Sequence, residues 1–213
     1  MSKTDYRFVE FKPELRAIGD GPPGKLPTIV GRAAVANKST TISAYVRGKL
    51  VKFVERFAPG AFKRAIAEGQ DVVALYNHDD NYVLGRTSSG TLRMVESPGG
   101  DLDVEIDPPD TSYARDLVET VGRGDIRGMS IAFRPAPNGV LWNDQRTDRT
   151  LTDVDLGDVS IVTRPAYPQT EVSLRSDSPA IDELAGAEQL RDEARRQAGE
   201  RAERLRSIES RLA

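Results

Sequence analysis

Apolar and polar residues alternate along much of the chain in short runs, and this pattern predicts β-strands. The clearest run is 101–107, where Leu102, Val104 and Ile106 are separated by acidic residues, so one face would be buried and the other exposed. The other runs are rich in β-branched and aromatic residues, which also favours strands. We predict strands at 6–11, 28–35, 41–46, 50–57, 72–78, 83–87, 91–95, 101–107, 126–134, 140–142, 151–156 and 159–163.

The connections between these runs complete the predicted fold. A turn at 88–90 predicts a hairpin that joins the runs on either side of it. Apolar residues at helical spacing predict one helix over 61–68 and a second that begins at Asp110 or Thr111 and runs to about residue 121. Many short strands without a βαβ repeat favour a mainly β fold with α, either an antiparallel barrel or a sandwich with helices on its outside.

The ends of the chain differ from its centre. A Gly/Pro-rich stretch at 19–24 interrupts regular structure, and from Ser178 onward there is no aromatic residue while Glu, Arg and Ala dominate. The tail has a thin apolar stripe, which is typical of a partner-dependent helix, a weak coiled coil or a partly disordered segment, unless a few residues pack on the domain. We predict an N-terminal edge strand and loop over 1–27, a β domain over 28–176 and a charged helical or flexible tail over 177–213.

Composition narrows the classes of function. The 213 residues suffice for one sizeable core, and 30 Lys and Arg against 33 Asp and Glu give a net charge of -3, so no basic field indicates nucleic-acid binding. No run of 18 apolar residues and no signal-peptide core is present, so we expect neither membrane insertion nor export by a standard signal. The absence of cysteine excludes disulfides and thiol nucleophiles. Hydroxyls, carboxylates, lysines or a metal-bound water remain as nucleophiles.

His78 is the only histidine of the chain, at the point where an apolar run meets a polar one. Histidine is the side chain with an unperturbed pKa closest to neutral pH, which makes His78 the candidate general base of a hydrolase. A surface or hydrogen-bonded structural histidine is the alternative.

Two later strands carry candidate partners for His78. Alternation along 126–133 places Ser130 on a face of small residues, opposite the bulky face that can pack into the core. Alternation along 158–163 places Asp158 and Ser160 on one side, and a carboxylate there has the chemistry to orient an imidazole. The segments 129–136 and 159–166 are similar, which suggests two strands that meet a similar rim and makes Ser160 a competing nucleophile.

Four ordered blocks resemble a known family. The chain reads FAPGAF at 57–62, NHD at 77–79 with LGRT at 84–87, GMSIAF at 128–133 and DVSIVTRPAY at 158–167. Together these are similar to the prohead maturation proteases of tailed bacteriophages with the HK97-type capsid, which are related in fold to the herpesvirus assembly proteases. The resemblance implies a serine peptidase built on a β-barrel surrounded by helices.

The same resemblance implies roles for individual residues. His78 would be the general base, Ser130 the nucleophile and Asp158 the third member, although the phage family usually has Glu-Val-Ser where this chain has Asp-Val-Ser. Asp79, Asp80 and Asp155 are substitutes for the third member. By analogy with the herpesvirus proteases, Arg164 is the first candidate, and Arg134 the second, for holding the loop or water that stabilises the oxyanion.

The family also implies a biological setting. The enzyme would cleave the scaffold region of the major capsid protein, and itself, inside the assembling procapsid in the host cytoplasm, without a metal or organic cofactor, and the herpesvirus proteases suggest a homodimer. Two alternatives stay open from the residues themselves. One is a non-catalytic β-barrel that serves as a capsid assembly or scaffold protein, and the other is a metal-dependent hydrolase that uses His78, Asp79 and Asp80.

Overall fold

The structure is a computed structural model that describes residues 4–10, 13–16, 25–46 and 49–163. The Gly/Pro-rich stretch at 19–24, Arg164 and the predicted tail lie outside the described residues. Of these described residues, those within 4–42 and 53–163 belong to one compact unit, while 43–46 and 49–52 belong to a second. The site described below lies in the first unit.

Thirteen strands and two helices are present among the described residues. The helices are α1 (Lys63–Ala67) and α2 (Ser112–Arg123), as predicted, and α2 ends at Gly124, which has φ 79°. The strands are β1 (Asp5–Glu10), β2 (Glu14–Arg16), β3 (Thr28–Ala34), β4 (Thr40–Val46), β5 (Lys49–Phe57), β6 (Val73–Tyr76), β7 (Asp79–Arg86), β8 (Leu92–Glu96), β9 (Leu102–Ile106), β10 (Gly128–Pro135), β11 (Val140–Trp142), β12 (Asp148–Leu151) and β13 (Val154–Val162).

The strands form three sheets, and the prediction of a mainly β fold with few helices is confirmed. The sheet orders are β1-β10-β13-β6-β7, β11-β12-β5-β4 and β2-β3-β9-β8, and none of them closes into a barrel within the described residues. The sheets are not purely antiparallel, which corrects that part of the prediction. β13 pairs with β6 and β12 pairs with β5 in parallel. Local alternation reports burial of a face but not strand direction, so the sequence pattern could not distinguish these pairings.

The predicted hairpin across residues 88–90 is wrong. β7 pairs with β6 and β8 pairs with β9, so the two strands beside this turn belong to different sheets. The turn is closed by a bond from the Thr91 N–H to the Arg86 carbonyl at 3.1 Å, and the strands then diverge. A Cβ on Gly85 would lie 2.7 Å from the Thr91 carbonyl oxygen, so a side chain there would prevent this close crossing.

The core forms from the faces that alternation predicted. Leu102, Val104 and Ile106 are buried, as are Ile131 and Phe133 on the bulky face of β10. The predicted boundaries at 151–156 and 159–163 differ from the observed strands. β12 ends at residue 151, and β13 runs without interruption over Val154–Val162, so it joins most of the two predicted strands into one.

A buried ionic cluster connects β1 to β5 and β12. Glu55 accepts hydrogen bonds from Arg7 and from Arg149, the latter from Nε at 2.5 Å. Arg149 also contacts Asp5 at 3.1 Å. Glu55 and Arg149 are 2% and 3% exposed, so these charges satisfy one another rather than water.

Candidate active site

His78 lies in a tight turn rather than on the strand that precedes it. Tyr76 pairs with Asp79, which leaves Asn77 and His78 as the two central residues of the β6–β7 hairpin. Their φ angles are 56° and 58°, as a type I′ turn requires at both central positions. Asn and His are both among the non-glycine residues that adopt this left-handed conformation most often. The turn brings the imidazole to the end of the sheet where β10 and β13 run side by side.

The neighbouring strands present Ser130 and Asp158 toward this turn. β10 and β13 are antiparallel, with Ser130 opposite Ser160 and Ala132 opposite Asp158. Residues directly opposite each other share a face of the sheet, so the serine and the aspartate lie on the same side. β13 also pairs with β6 in parallel, with Ile161 next to Tyr76. This parallel pairing positions the His78 turn over the Ser130 face.

The three side chains form a continuous chain of hydrogen bonds. His78 Nε2 lies 2.8 Å from Ser130 Oγ, and His78 Nδ1 lies 2.7 Å from Asp158 Oδ1. A carboxylate only accepts hydrogen bonds, so Nδ1 carries the proton and Nε2 is free to accept the Ser130 hydroxyl proton. The side chains of His78 and Asp158 are 18% and 14% exposed, and Ser130 is 1% exposed. The shorter carboxylate of Asp158 therefore reaches the imidazole.

The three substitute carboxylates have other partners or positions. Asp79 Oδ1 accepts a bond from the Asn81 N–H at 2.9 Å, and Asp80 is exposed. Asp155 accepts bonds from Arg64 at 2.5 Å and from a second residue, Gln70, and the Arg64 hydrogen bond lowers the pKa of Asp155. Asp158 is the carboxylate that contacts His78.

Ser160 contacts the Asp158 carboxylate and the backbone of His78. It is fully buried, donates its hydroxyl proton to Asp158 Oδ1 at 2.7 Å and accepts the backbone N–H of His78 at 3.2 Å. The alternation that placed Asp158 and Ser160 on one side is therefore confirmed. The sequence pattern gave no sign that Ser160 contacts both the acid and the turn.

β1 lies beside the site, and the sequence alone did not identify this contact. Phe8 lies opposite Ser130 and Tyr6 opposite Ala132, so both aromatic residues share the Ser130 face. The Tyr6 ring meets the His78 imidazole edge to face at 4.7 Å. Burial, and then the charges of Asp158 and Asp80, raise the pKa of Tyr6. The signal was present in the alternation along 6–11, which sets Tyr6 and Phe8 on one face.

Of the two candidate arginines, Arg134 lies among the described residues. Because β10 and β13 are antiparallel, Arg134 lies opposite Asp155, at the end of the sheet away from the Gly128–Val162 pair that precedes Arg164. The similar rim expected for segments 129–136 and 159–166 stays a prediction, because residues 164–166 lie outside the described residues. Arg134 Nε donates to Thr4 Oγ1 at 3.2 Å. Arg164 itself lies outside the described residues.

Within residues 4–10, 13–16, 25–46 and 49–163, no three His, Asp or Glu side chains are arranged to hold a metal ion. No helix in the described part of the chain is long and apolar enough to cross a bilayer.

Comparison with known proteins gives the family. No curated protein matches the chain. The solved structure of the bacteriophage T4 capsid assembly protease, gp21, matches with 14% identity and a TM-score of 0.46 over 75% of this chain and 97% of that chain. A family profile described as "Caudovirus prohead serine protease" matches residues 26–183, which is well over half of the chain. The chain therefore belongs to the caudovirus prohead serine proteases.

Proposed function

We propose that this protein is a serine endopeptidase of prohead maturation in which Ser130 is the nucleophile, His78 the general base and Asp158 the residue that orients the base. The hydrogen-bonded chain from Ser130 through His78 to Asp158, with distances of 2.8 and 2.7 Å, is the observation that carries the proposal. A serine, a histidine and an aspartate hydrogen-bonded in this order can act as nucleophile, general base and orienting acid.

The chemistry follows from the positions of the protons. His78 Nε2 takes the hydroxyl proton as Ser130 Oγ attacks the scissile carbonyl carbon, and the resulting imidazolium is stabilised by the carboxylate of Asp158. The proton then passes to the leaving amine as the peptide C–N bond breaks, which leaves an acyl ester on Ser130. A water molecule, deprotonated by the same imidazole, attacks that ester, and the proton returns to Ser130 Oγ as the ester C–O bond breaks.

The substrate is proposed to be a capsid precursor. Family membership supports a role in capsid maturation, and we infer that the scaffold region of the major capsid protein, and the protease itself, are cleaved inside the assembling procapsid in the host cytoplasm. Stabilisation of the oxyanion by Arg164 and a homodimeric active form are further proposals that rest on the herpesvirus resemblance.

Coexpression with the capsid precursor tests the proposal. The unmodified protein should convert the precursor to a shorter product on a gel, and Ser130→Ala should abolish conversion. Ser39→Ala, which removes an exposed hydroxyl, is the matched control and should process normally. A fluorophosphonate probe should label Ser130 in the unmodified protein, as mapped by mass spectrometry. Processing by Ser130→Ala would contradict the assignment. An unmodified protein that supports normal assembly but neither processes the precursor nor takes the probe would favour a non-catalytic assembly protein.

A further inference from the structure

We propose that Ser160 is a positioning residue of this site: its hydroxyl connects the backbone of the His78 turn to the Asp158 carboxylate, and so holds the imidazole in line between Asp158 and Ser130. The proposal rests on the proposed function. It replaces the reading of Ser160 as a competing nucleophile by one in which Ser160 touches neither the substrate nor the Ser130 hydroxyl.

The Ser160 hydroxyl makes two hydrogen bonds of opposite direction. A serine hydroxyl has one proton to donate and lone pairs that accept. The backbone N–H of His78 can only donate, so Ser160 Oγ accepts from it at 3.2 Å. The hydroxyl proton is then directed to Asp158 Oδ1 at 2.7 Å. Because Ser160 is fully buried, water does not compete for either bond.

The Asp158 carboxylate is held by two donors. Its Oδ1 accepts one hydrogen bond from His78 Nδ1 at 2.7 Å and one from the Ser160 hydroxyl at 2.7 Å. Two donors fix the position of this oxygen, whereas the imidazole alone would allow the carboxylate to rotate about its side-chain torsions. Ser160 therefore restricts the acceptor that orients His78.

Ser160 also contacts the turn that carries His78. His78 has φ 58°, which is sparsely populated for residues other than glycine and persists where surrounding contacts enforce it. Four hydrogen bonds hold the turn to β13 and to the residue after it. The Asn77 N–H donates to the Ile161 carbonyl at 2.9 Å, Asn77 Oδ1 accepts from the Thr163 N–H at 2.9 Å and from the Thr163 hydroxyl at 3.3 Å, and the His78 N–H donates to Ser160. The bond to Ser160 is the one made by the backbone of the base itself.

A purely structural serine would make the same bonds, so the two roles need different readouts. Loss of a structural bond lowers stability but leaves the catalytic rate of the folded fraction unchanged. Loss of a positioning bond lowers kcat in molecules that are folded, because small displacements of a catalytic group are costly to rate. Since His78 is the only histidine, nitrogen-15 labelling of histidine reports its ring nitrogens without overlap.

The test compares Ser160→Ala, Ser160→Thr and Ser160→Cys in the full chain, with the capsid precursor as substrate. Ser160→Ala should lower kcat about tenfold to a hundredfold at unchanged KM, and its ring nitrogen-15 signals should lose the Nδ1–H tautomer pattern of the unmodified protein. Ser160→Thr, which keeps a hydroxyl, should restore both. Ser160→Cys, which keeps the volume but donates weakly, should resemble Ser160→Ala.

Several results would overturn the proposal. These are a kcat for folded Ser160→Ala within twofold of the unmodified protein, a lowered kcat with unchanged histidine signals, or an effect confined to KM. If Ser160→Ala fails to fold, Ser160→Thr and Ser160→Cys decide, and equal kcat values in these two would reject the role of the hydroxyl. Fluorophosphonate labelling separates the two hypotheses: a label on Ser160 would refute the proposed function, whereas a label on Ser130 leaves it intact whatever the Ser160 variants show.

Discussion

The buried ionic cluster that attaches β1 allows a quantitative prediction from the substitution Glu55→Gln. The Glu55 carboxylate binds Arg7 and Arg149 and is 2% exposed. Glutamine has nearly the same shape but no charge, so the substitution leaves two guanidinium groups buried beside a neutral amide. Asp5, at 3.1 Å from Arg149 and 3.9 Å from Arg7, is the remaining counter-charge.

The expected loss of stability follows from the missing carboxylate partner of Arg7 and Arg149. Removal of one partner from a buried ion pair costs about 3–5 kcal/mol in free energy of unfolding, because the other charge stays desolvated. Asp5 compensates in part, so we expect about 3 kcal/mol. For a domain of this size, each kcal/mol lowers Tm by about 2–4 °C. Glu55→Gln should therefore lower Tm by about 6–12 °C.

Thermal unfolding followed by circular dichroism, together with urea titration, would measure this loss. Glu105→Gln is a matched control, because Glu105 also joins two arginines, Arg16 and Arg93, but these are 59% and 45% exposed. Exposed ion pairs contribute at most about 1 kcal/mol each, so the loss of both pairs should cost the control at most about 2 kcal/mol, less than the loss expected for Glu55→Gln. Equal losses in the two variants, or a loss below about 1 kcal/mol for Glu55→Gln, would refute the argument from burial.

The same residue predicts a dependence of stability on pH. Burial acts to raise the pKa of Glu55, but the charges and hydrogen bonds of Arg7 and Arg149 outweigh burial and hold that pKa below its usual value. The folded state thus binds the proton less readily than the unfolded state, whose pKa is about 4.3. The stabilisation is fully present above that pH and is lost as pH falls through the folded pKa. Glu55→Gln should remove this part of the acid sensitivity.

Two further predictions concern the surroundings of the site. In Gly128→Ala the new Cβ would lie 2.2 Å from Phe8 Cε2, so we expect a loss of about 1–3 kcal/mol in urea unfolding, recovered in part by adding Phe8→Leu; an unchanged stability would contradict the close packing of β1 on β10. Asn77→Leu places a branched side chain at φ 56° and removes the acceptor for the Thr163 N–H, so it should cost about 1–2 kcal/mol. Asn77→Asp, which keeps the acceptor, should stay close to the unmodified protein, and equal losses in these two variants would contradict the argument.

Local periodicity was enough to identify most of the strands and the orientation of the key side chains. A period of two residues reports which face of a strand is buried, and this predicted that Ser130 lies opposite the core face of β10 and that Asp158 and Ser160 share a side. The ordered sequence blocks then suggested the family, which the match over residues 26–183 established.

The sequence did not determine which strands meet or how the base approaches the nucleophile. His78, Ser130 and Asp158 are separated by 52 and 80 positions along the chain, counted from His78. Their contact depends on the antiparallel pairing of β10 with β13, the parallel pairing of β13 with β6, and the left-handed turn at His78. Such pairings are chosen by packing across the whole domain, so residue periodicity within one strand carries no information about them.

The same limit applies to β1 and to Ser160. Alternation predicted an edge strand near the N-terminus, but only the tertiary structure placed Tyr6 against His78 and Phe8 opposite Ser130. The sequence likewise presented Ser160 as a second hydroxyl on the Asp158 side, and only its distances to the His78 backbone and to Asp158 gave it a different part in the site. The sequence by itself determined the chemistry available to this protein, whereas the long-range strand pairing decided which groups meet, because hydrogen bonds act only over about 3 Å.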